Sequence, residues 1–205
     1  DIVGVENFCE DSETLDQYSS DHSFVPPRRP WGVVKPGSSE EVVEIVKWAN
    51  EVNIPLIPVS SGPPRFRGDT IPEIGGVIVD LSRMNRIKMV DRLDRVVMVE
   101  PGVRWGELQE AVKKEGMRVP MPLSPRRTKS VIGSCLEREP HIIPKYHLDH
   151  SDPLLCNEVV FGTGDLFRTG EAAGPGTIEE QWKAGRRQKI GEGIQTSLMR
   201  LLQGS

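Results

Sequence analysis

The sequence predicts an α+β fold of two α/β subdomains, opening on a βαβ unit and continuing into mixed and antiparallel strands with flanking helices. Three observations carry this. Two apolar runs, Gly32–Lys35 and Ile54–Val59, bracket a stretch with helical periodicity. Three short β-rich runs then follow at 76–80, 86–91 and 95–100. A second helical pattern starts at Trp105, and alternating residues around Gly162 and Gly164 read as a hairpin.

Each element has a local cause. Pro36-Gly37 breaks the first strand, and Ser38-Ser39-Glu40-Glu41 is a capping box of the Ser-x-x-Glu type. Val42, Ile45, Val46 and Ala49 recur at one helical face, so a helix should run to Asn50–Asn53. Strand, helix and strand in this order give two parallel strands joined by a crossover. Pro101-Gly102 ends the third β-rich run. Trp105, Leu108, Ala111 and Val112 mark the second helix, which Gly116 should close. Residues 118–130, rich in Pro and Arg, read as an irregular crossing, and the subdomains divide at 1–115 and 116–205. Asn157–Phe161 and Leu166–Thr169 form the hairpin, and Thr177–Glu180 is a second capping box ahead of Ile178 and Trp182. The apolar stretch Leu198–Leu202 reads as a last helix.

Composition narrows the partners. The chain has 205 residues and a net charge of −4, and its basic clusters are short, so no basic face for nucleic acid is expected. No apolar run reaches the roughly 20 residues of a membrane helix. Residues 1–4 carry no signal-peptide pattern. Three cysteines, Cys9, Cys135 and Cys156, stand far apart without a Cys-x-x-Cys, which points to a reducing compartment, the cytoplasm by default.

The stretch IPLIPVSSGPPRFRGDT, residues 54–70, carries the strongest chemical signal. It runs from a strand into a loop of Ser, Gly, Pro and Arg at the carboxyl end of a parallel strand, where ligands collect in α/β sheets. It is neither a P-loop nor a Gly-x-Gly-x-x-Gly turn. Ser60-Ser61-Gly62 offers backbone N–H groups and two hydroxyls, Pro63 and Pro64 subtract donors, and Arg65 and Arg67 could supply charge to a diphosphate. The alternative is a rigid surface turn. HLDHSD, residues 147–152, resembles a fragment of a metal site but lacks further ligands at matching spacing, so no metal is expected. Glu137, Arg138 and Glu139 near Cys135 read as an exposed ion-pair loop, and Gly162, Gly164 and Gly170 as turn glycines.

Taken in order, VVKPGSSEEVVEIVKWANEVNIPLIPVSSG, GGVIVDLSRMNRI, VVMVEPGVRWGELQEAVKKEGMRVPMPL, SVIGS and EVVFGTGDLFRTG resemble FAD-linked oxidases of the vanillyl-alcohol oxidase or para-cresol methylhydroxylase type. The resemblance covers about residues 30–170. It implies an FAD-binding domain whose first loop, 58–70, wraps the pyrophosphate. Val59, Ser60, Ser61 and Gly62, then Arg67, Gly68, Asp69 and Thr70, would hold it, with Pro63-Pro64 in place of a richer glycine run. The second motif falls on Pro122, Ser130, Val131, Ile132, Gly133 and Ser134, where GS replaces the commoner GG. Glu137, His141, Tyr146 and His147 lie where the family approaches the isoalloxazine. Some members attach the flavin through a His in or near the first loop; that loop has none here, so dissociable FAD is expected.

The implied reaction is oxidation of an alcohol or 2-hydroxy acid by hydride transfer to FAD, with His141, Tyr146 and His147 as candidate bases. An electron-acceptor protein and a complementary C-terminal half or subunit are the implied partners. The family continues into a substrate-capping domain that this sequence does not reach, as in a fragment, a split-gene subunit or a truncated form. Two rivals stand beside this reading: a non-catalytic FAD-binding or scaffold subunit of a complex, and a metal hydrolase built on His147, Asp149 and His150.

Overall fold

A computed structural model describes residues 2–119, 122, 126–137 and 154–184 of the chain. Strand β1 (Phe8–Cys9) leads into helix α1 (Ser12–Ser19), both ahead of the first element expected from sequence. Asp11 caps α1 by accepting from the Thr14 N–H at 2.9 Å, and Leu15 and Tyr18 form its buried face. The expected βαβ unit follows as β2 (Gly32–Val34), α2 (Ser39–Val52) and β3 (Leu56–Val59). Its capping box is modified: Ser38 Oγ accepts from the Glu41 N–H, but the Glu41 carboxylate reaches back to Gly37 N–H rather than to Ser38.

The two strands of this unit are parallel but not neighbours. Strand β4 (Val77–Asp80) lies between them, parallel to both, and the sheet order is β1-β2-β4-β3 with β1 antiparallel at the edge. The composition of β4 explains its place. Val77, Ile78 and Val79 are all buried, so the strand needs neighbours on both edges and cover on both faces. The pleat then divides the side chains. Val33, Val59 and Ile78 pack with Leu15 and Tyr18 of α1. Val34, Val77 and Val79 pack on the opposite face with Ile45 of α2.

Strands β5 (Ile87–Asp91) and β6 (Val96–Val99) pair antiparallel. Helix α3 (Trp105–Lys114) ends as expected at Gly116, whose φ is +68°, and the Met117 N–H closes on Val112 C=O at 3.0 Å. A third core joins Val103, Trp105, Leu108 and Val112 to Val119 and to Val131 and Cys135 of α4 (Val131–Leu136). Residues on either side of Gly116 therefore share one core.

The expected hairpin is present as β7 (Glu158–Val160) and β8 (Leu166–Arg168). Its turn hangs on α2 through Asn50 Nδ2, which donates to Gly162 C=O at 2.8 Å. The second capping box is complete: Thr177 Oγ1 accepts from Glu180 N–H, and the Glu180 carboxylate accepts from Thr177 N–H. It opens a helix described over 178–184. Among the described residues no helix is long and apolar enough to cross a membrane.

Candidate functional site

The loop after β3 leaves the carboxyl edge of the parallel sheet beside Asp80, since Val59 is in register with Asp80. Val59 itself is core, 2% exposed. Ser61 Oγ accepts from the Ser130 N–H at 3.0 Å, and the Gly62 N–H donates to Thr128 C=O at 2.8 Å. The two segments singled out in the sequence, 59–62 and 130–134, thus meet side by side. Ser60 Oγ lies 3.5 Å from where a Cβ on Gly133 would stand, so Ser60 and Gly133 are neighbours. The Ser60 hydroxyl makes no hydrogen bond among the described residues.

The buried serines of the second segment serve the framework. Ser130 is fully buried; its Oγ donates to Pro101 C=O and accepts from the Gly133 N–H. Ser134 Oγ accepts from Trp105 Nε1 at 2.8 Å. Ile132 is half-buried, and Pro122 is buried.

Farther along the loop, charge is already balanced. Glu137 Oε2 takes Arg67 Nη1 at 2.5 Å and the buried Lys129 Nζ at 2.6 Å. The Arg65 guanidinium lies over the Tyr18 ring, with its Nε on Ser61 C=O, and Arg126 lies over Phe66. The N-terminal segment holds the loop from outside. Asp21 Oδ2 accepts from the Gly68 N–H at 2.6 Å, His22 N–H donates to Arg65 C=O, and the His22 ring stacks on Phe66. Burial pushes the Asp21 carboxyl up, but hydrogen bonds from Ser23 and from the Gly68 N–H outweigh it and hold the group below its usual range. Asp69 is exposed and Thr70 half-buried.

Several residues at this edge gave no signal in the sequence. Tyr18 and Asp80 meet in a buried hydrogen bond, and Asp21 comes from the segment before the first expected strand. Arg104 pairs its backbone with Ser130, and its guanidinium lies against Gly62: a Cβ there would stand 2.9 Å from Arg104 Cζ. An Asp-x-x-Thr cap and the Leu15/Tyr18 spacing could have revealed α1. Nothing local reveals the reach of Arg104. His141, Tyr146 and His147, and the His147, Asp149 and His150 cluster, lie outside the described residues. Among the described residues no three His, Cys, Asp or Glu side chains are grouped to hold a metal.

A hydroxyl-bearing loop at the carboxyl edge of a parallel sheet, with arginines around it, is the kind of place where nucleotide phosphates collect in α/β sheets. The chain belongs to the FAD-binding domain family, whose pattern it matches over residues 30–170. It is 35% identical over 141 residues to the mitochondrial D-lactate dehydrogenase [cytochrome] of Arabidopsis thaliana, covering 69% of this chain and 24% of that protein. It is 29% identical over 180 residues to the 4-cresol dehydrogenase [hydroxylating] flavoprotein subunit of Pseudomonas putida, covering 86% of this chain and 34% of that one. Its fold resembles substrate-bound p-cresol methylhydroxylase with a TM-score of 0.72 at 27% identity, over 88% of this chain and 35% of that one. It matches 4-ethylphenol oxidase from Gulosibacter chungangensis equally well, at TM-score 0.72 and 32% identity, over 85% and 34% of the two chains. The chain thus spans between a quarter and about a third of the curated relatives' length.

The cofactor of this family is FAD, and the site's residues fit its diphosphate. Ser60 brings an unused hydroxyl, and the Arg104 guanidinium lies against Gly62.

Proposed function

We propose that this chain is the FAD-binding part of an oxidoreductase whose substrate is an alcohol or a 2-hydroxy acid. When bound, FAD supplies the two-electron chemistry that accepts a hydride from the substrate carbon. The observation that carries this reading is the meeting of the 59–62 loop with the 130–134 segment, fixed by the Ser61–Ser130 hydrogen bond. In this reading Ser60 and Ser61 hold the diphosphate, Gly62 ties their loop to Thr128, and Ser130 and Ser134 keep the second segment in place through Pro101 and Trp105. Asp21 and His22 keep the loop against the sheet edge. The relatives named for D-lactate, glycolate and D-2-hydroxyglutarate support a hydroxy-acid substrate, and those named for 4-cresol an aromatic one.

FAD is held without a covalent bond in this reading, because the 58–70 loop contains no His. An electron-acceptor protein and a complementary C-terminal half or subunit complete the enzyme, and His141, Tyr146 and His147 are the candidate bases. No disulfide joins Cys9, Cys135 and Cys156, which suits the cytoplasm. One observation favours the second reading, a non-catalytic FAD-binding or scaffold subunit. Gly62 N–H is spent on Thr128, and Pro63 and Pro64 carry none, so the loop is poor in donors.

The absorption spectrum of the purified chain, before and after acid precipitation, tests the proposal. Flavin bands that pass into the supernatant support non-covalent FAD, and bands that stay with the pellet overturn that part. A chain that takes up no added FAD overturns the whole reading. Bleaching by alcohols or hydroxy acids then separates enzyme from scaffold.

A further inference from the structure

We infer that Arg104 is the residue that neutralises the diphosphate of the bound dinucleotide, the role the sequence suggests for Arg65 and Arg67. This rests on the FAD-binding reading above. The alternatives are occupied: Arg67 is paired with Glu137, and so is Lys129. Arg65 is turned onto Tyr18 and Ser61 C=O, and Arg126 onto Phe66 and Pro64 C=O. Arg127 reaches toward Glu110.

Arg104 differs from all of these. Its backbone is locked opposite Ser130, with Trp105 N–H on Lys129 C=O and Val131 N–H on Val103 C=O. From that fixed base the guanidinium reaches Gly62; a Cβ on Gly62 would stand 2.9 Å from Cζ and 3.2 Å from Nε and Nη1. No carboxylate of the described residues pairs with it. Its position is also unfavourable for helix α3. Arg104 is the N-cap yet its side chain makes no capping hydrogen bond, and a cation at a helix N-terminus opposes the helix dipole. An arginine that serves neither the helix nor an ion pair, and that lies on the loop's glycine, is placed to meet an anion there. Its planar fork suits two phosphate oxygens, and the Ser60 hydroxyl, two residues before Gly62, adds a donor.

The test compares FAD with riboflavin, which has the ring system but no phosphate. Affinities are measured by fluorescence titration on the wild-type chain, Arg104→Gln and Arg104→Lys, each first checked for folding by circular dichroism and thermal midpoint. Arg104→Gln should weaken FAD binding about 10- to 100-fold, the weight of a charge-assisted hydrogen bond, and leave riboflavin binding unchanged. Arg104→Lys should fall between. Raising salt should weaken FAD binding less in Arg104→Gln than in the wild type. Equal FAD affinity in folded Arg104→Gln, or an equal loss for FAD and riboflavin, would overturn the assignment while leaving the FAD reading intact. A wild-type chain that binds no FAD would overturn both.

Discussion

The Tyr18 hydroxyl donates a 2.6 Å hydrogen bond to Asp80 Oδ2, tying α1 to the carboxyl end of β4 at the edge where the site lies. Asp80 is 5% exposed, and its other oxygen accepts from Ser82 N–H at 3.0 Å. Tyr18→Phe leaves one carboxylate oxygen short of a donor and should destabilise the fold by about 1–3 kcal/mol in urea titrations. Burial, followed by the Asp80 carboxylate, pushes the Tyr18 phenol well above its usual range. The unfolded chain therefore loses this proton first. The stabilisation is complete below about pH 10, the ordinary tyrosine value, and declines as pH rises beyond it. Wild-type stability should fall more steeply than that of Tyr18→Phe above that pH; parallel curves would contradict the assignment.

Glu137 serves two cations of unequal burial. Arg67 is half-exposed, with 49% of its side chain accessible, whereas the Lys129 side chain is 5% accessible. Arg67→Ala should therefore cost under about 1 kcal/mol, in the range of surface ion pairs. Glu137→Ala should cost more, about 1–3 kcal/mol, because it also removes a partner from the buried ammonium. Denaturant midpoints of the two variants give the order directly.

Gly68 adopts φ +73° with its N–H on Asp21, and a Cβ would fall 2.2 Å from Val25 Cγ2. Both the left-handed backbone and the clash penalise any side chain. Gly68→Ala should cost about 1–3 kcal/mol and loosen the 62–70 loop from residues 21–25. Faster limited proteolysis of the folded protein within this loop would register the loosening.

The serines of the site separate by role. Ser134→Ala removes the acceptor of Trp105 Nε1 inside the third core, and should lower stability by about 1–3 kcal/mol. Ser60→Ala removes a hydroxyl with no partner among the described residues; it should leave stability within about 0.5 kcal/mol and weaken FAD binding. Thermal midpoints and FAD titrations of both variants should show opposite patterns.

What the sequence determined by itself was local. The Ser38 and Thr177 caps, the Ile45/Ala49 face of α2, the glycine stop at Gly116 and the β7–β8 hairpin are all present, because each depends on contacts within a few residues. The two ligand segments were legible for a similar reason: strand ends and glycine-bearing turns are written in consecutive residues. Partnership across the chain was not. Only the tertiary structure placed β4 between β2 and β3, because pairing order depends on how both faces of the strand are covered. It also spent Ser134 on Trp105 and Gly62 N–H on Thr128, and brought Tyr18 to Asp80 and Arg104 to Gly62. A residue's type sets what it can bond, but packing sets which partner arrives first. The free charge at this site accordingly belongs not to the arginine paired with Glu137 inside the loop, but to Arg104, carried there by another element.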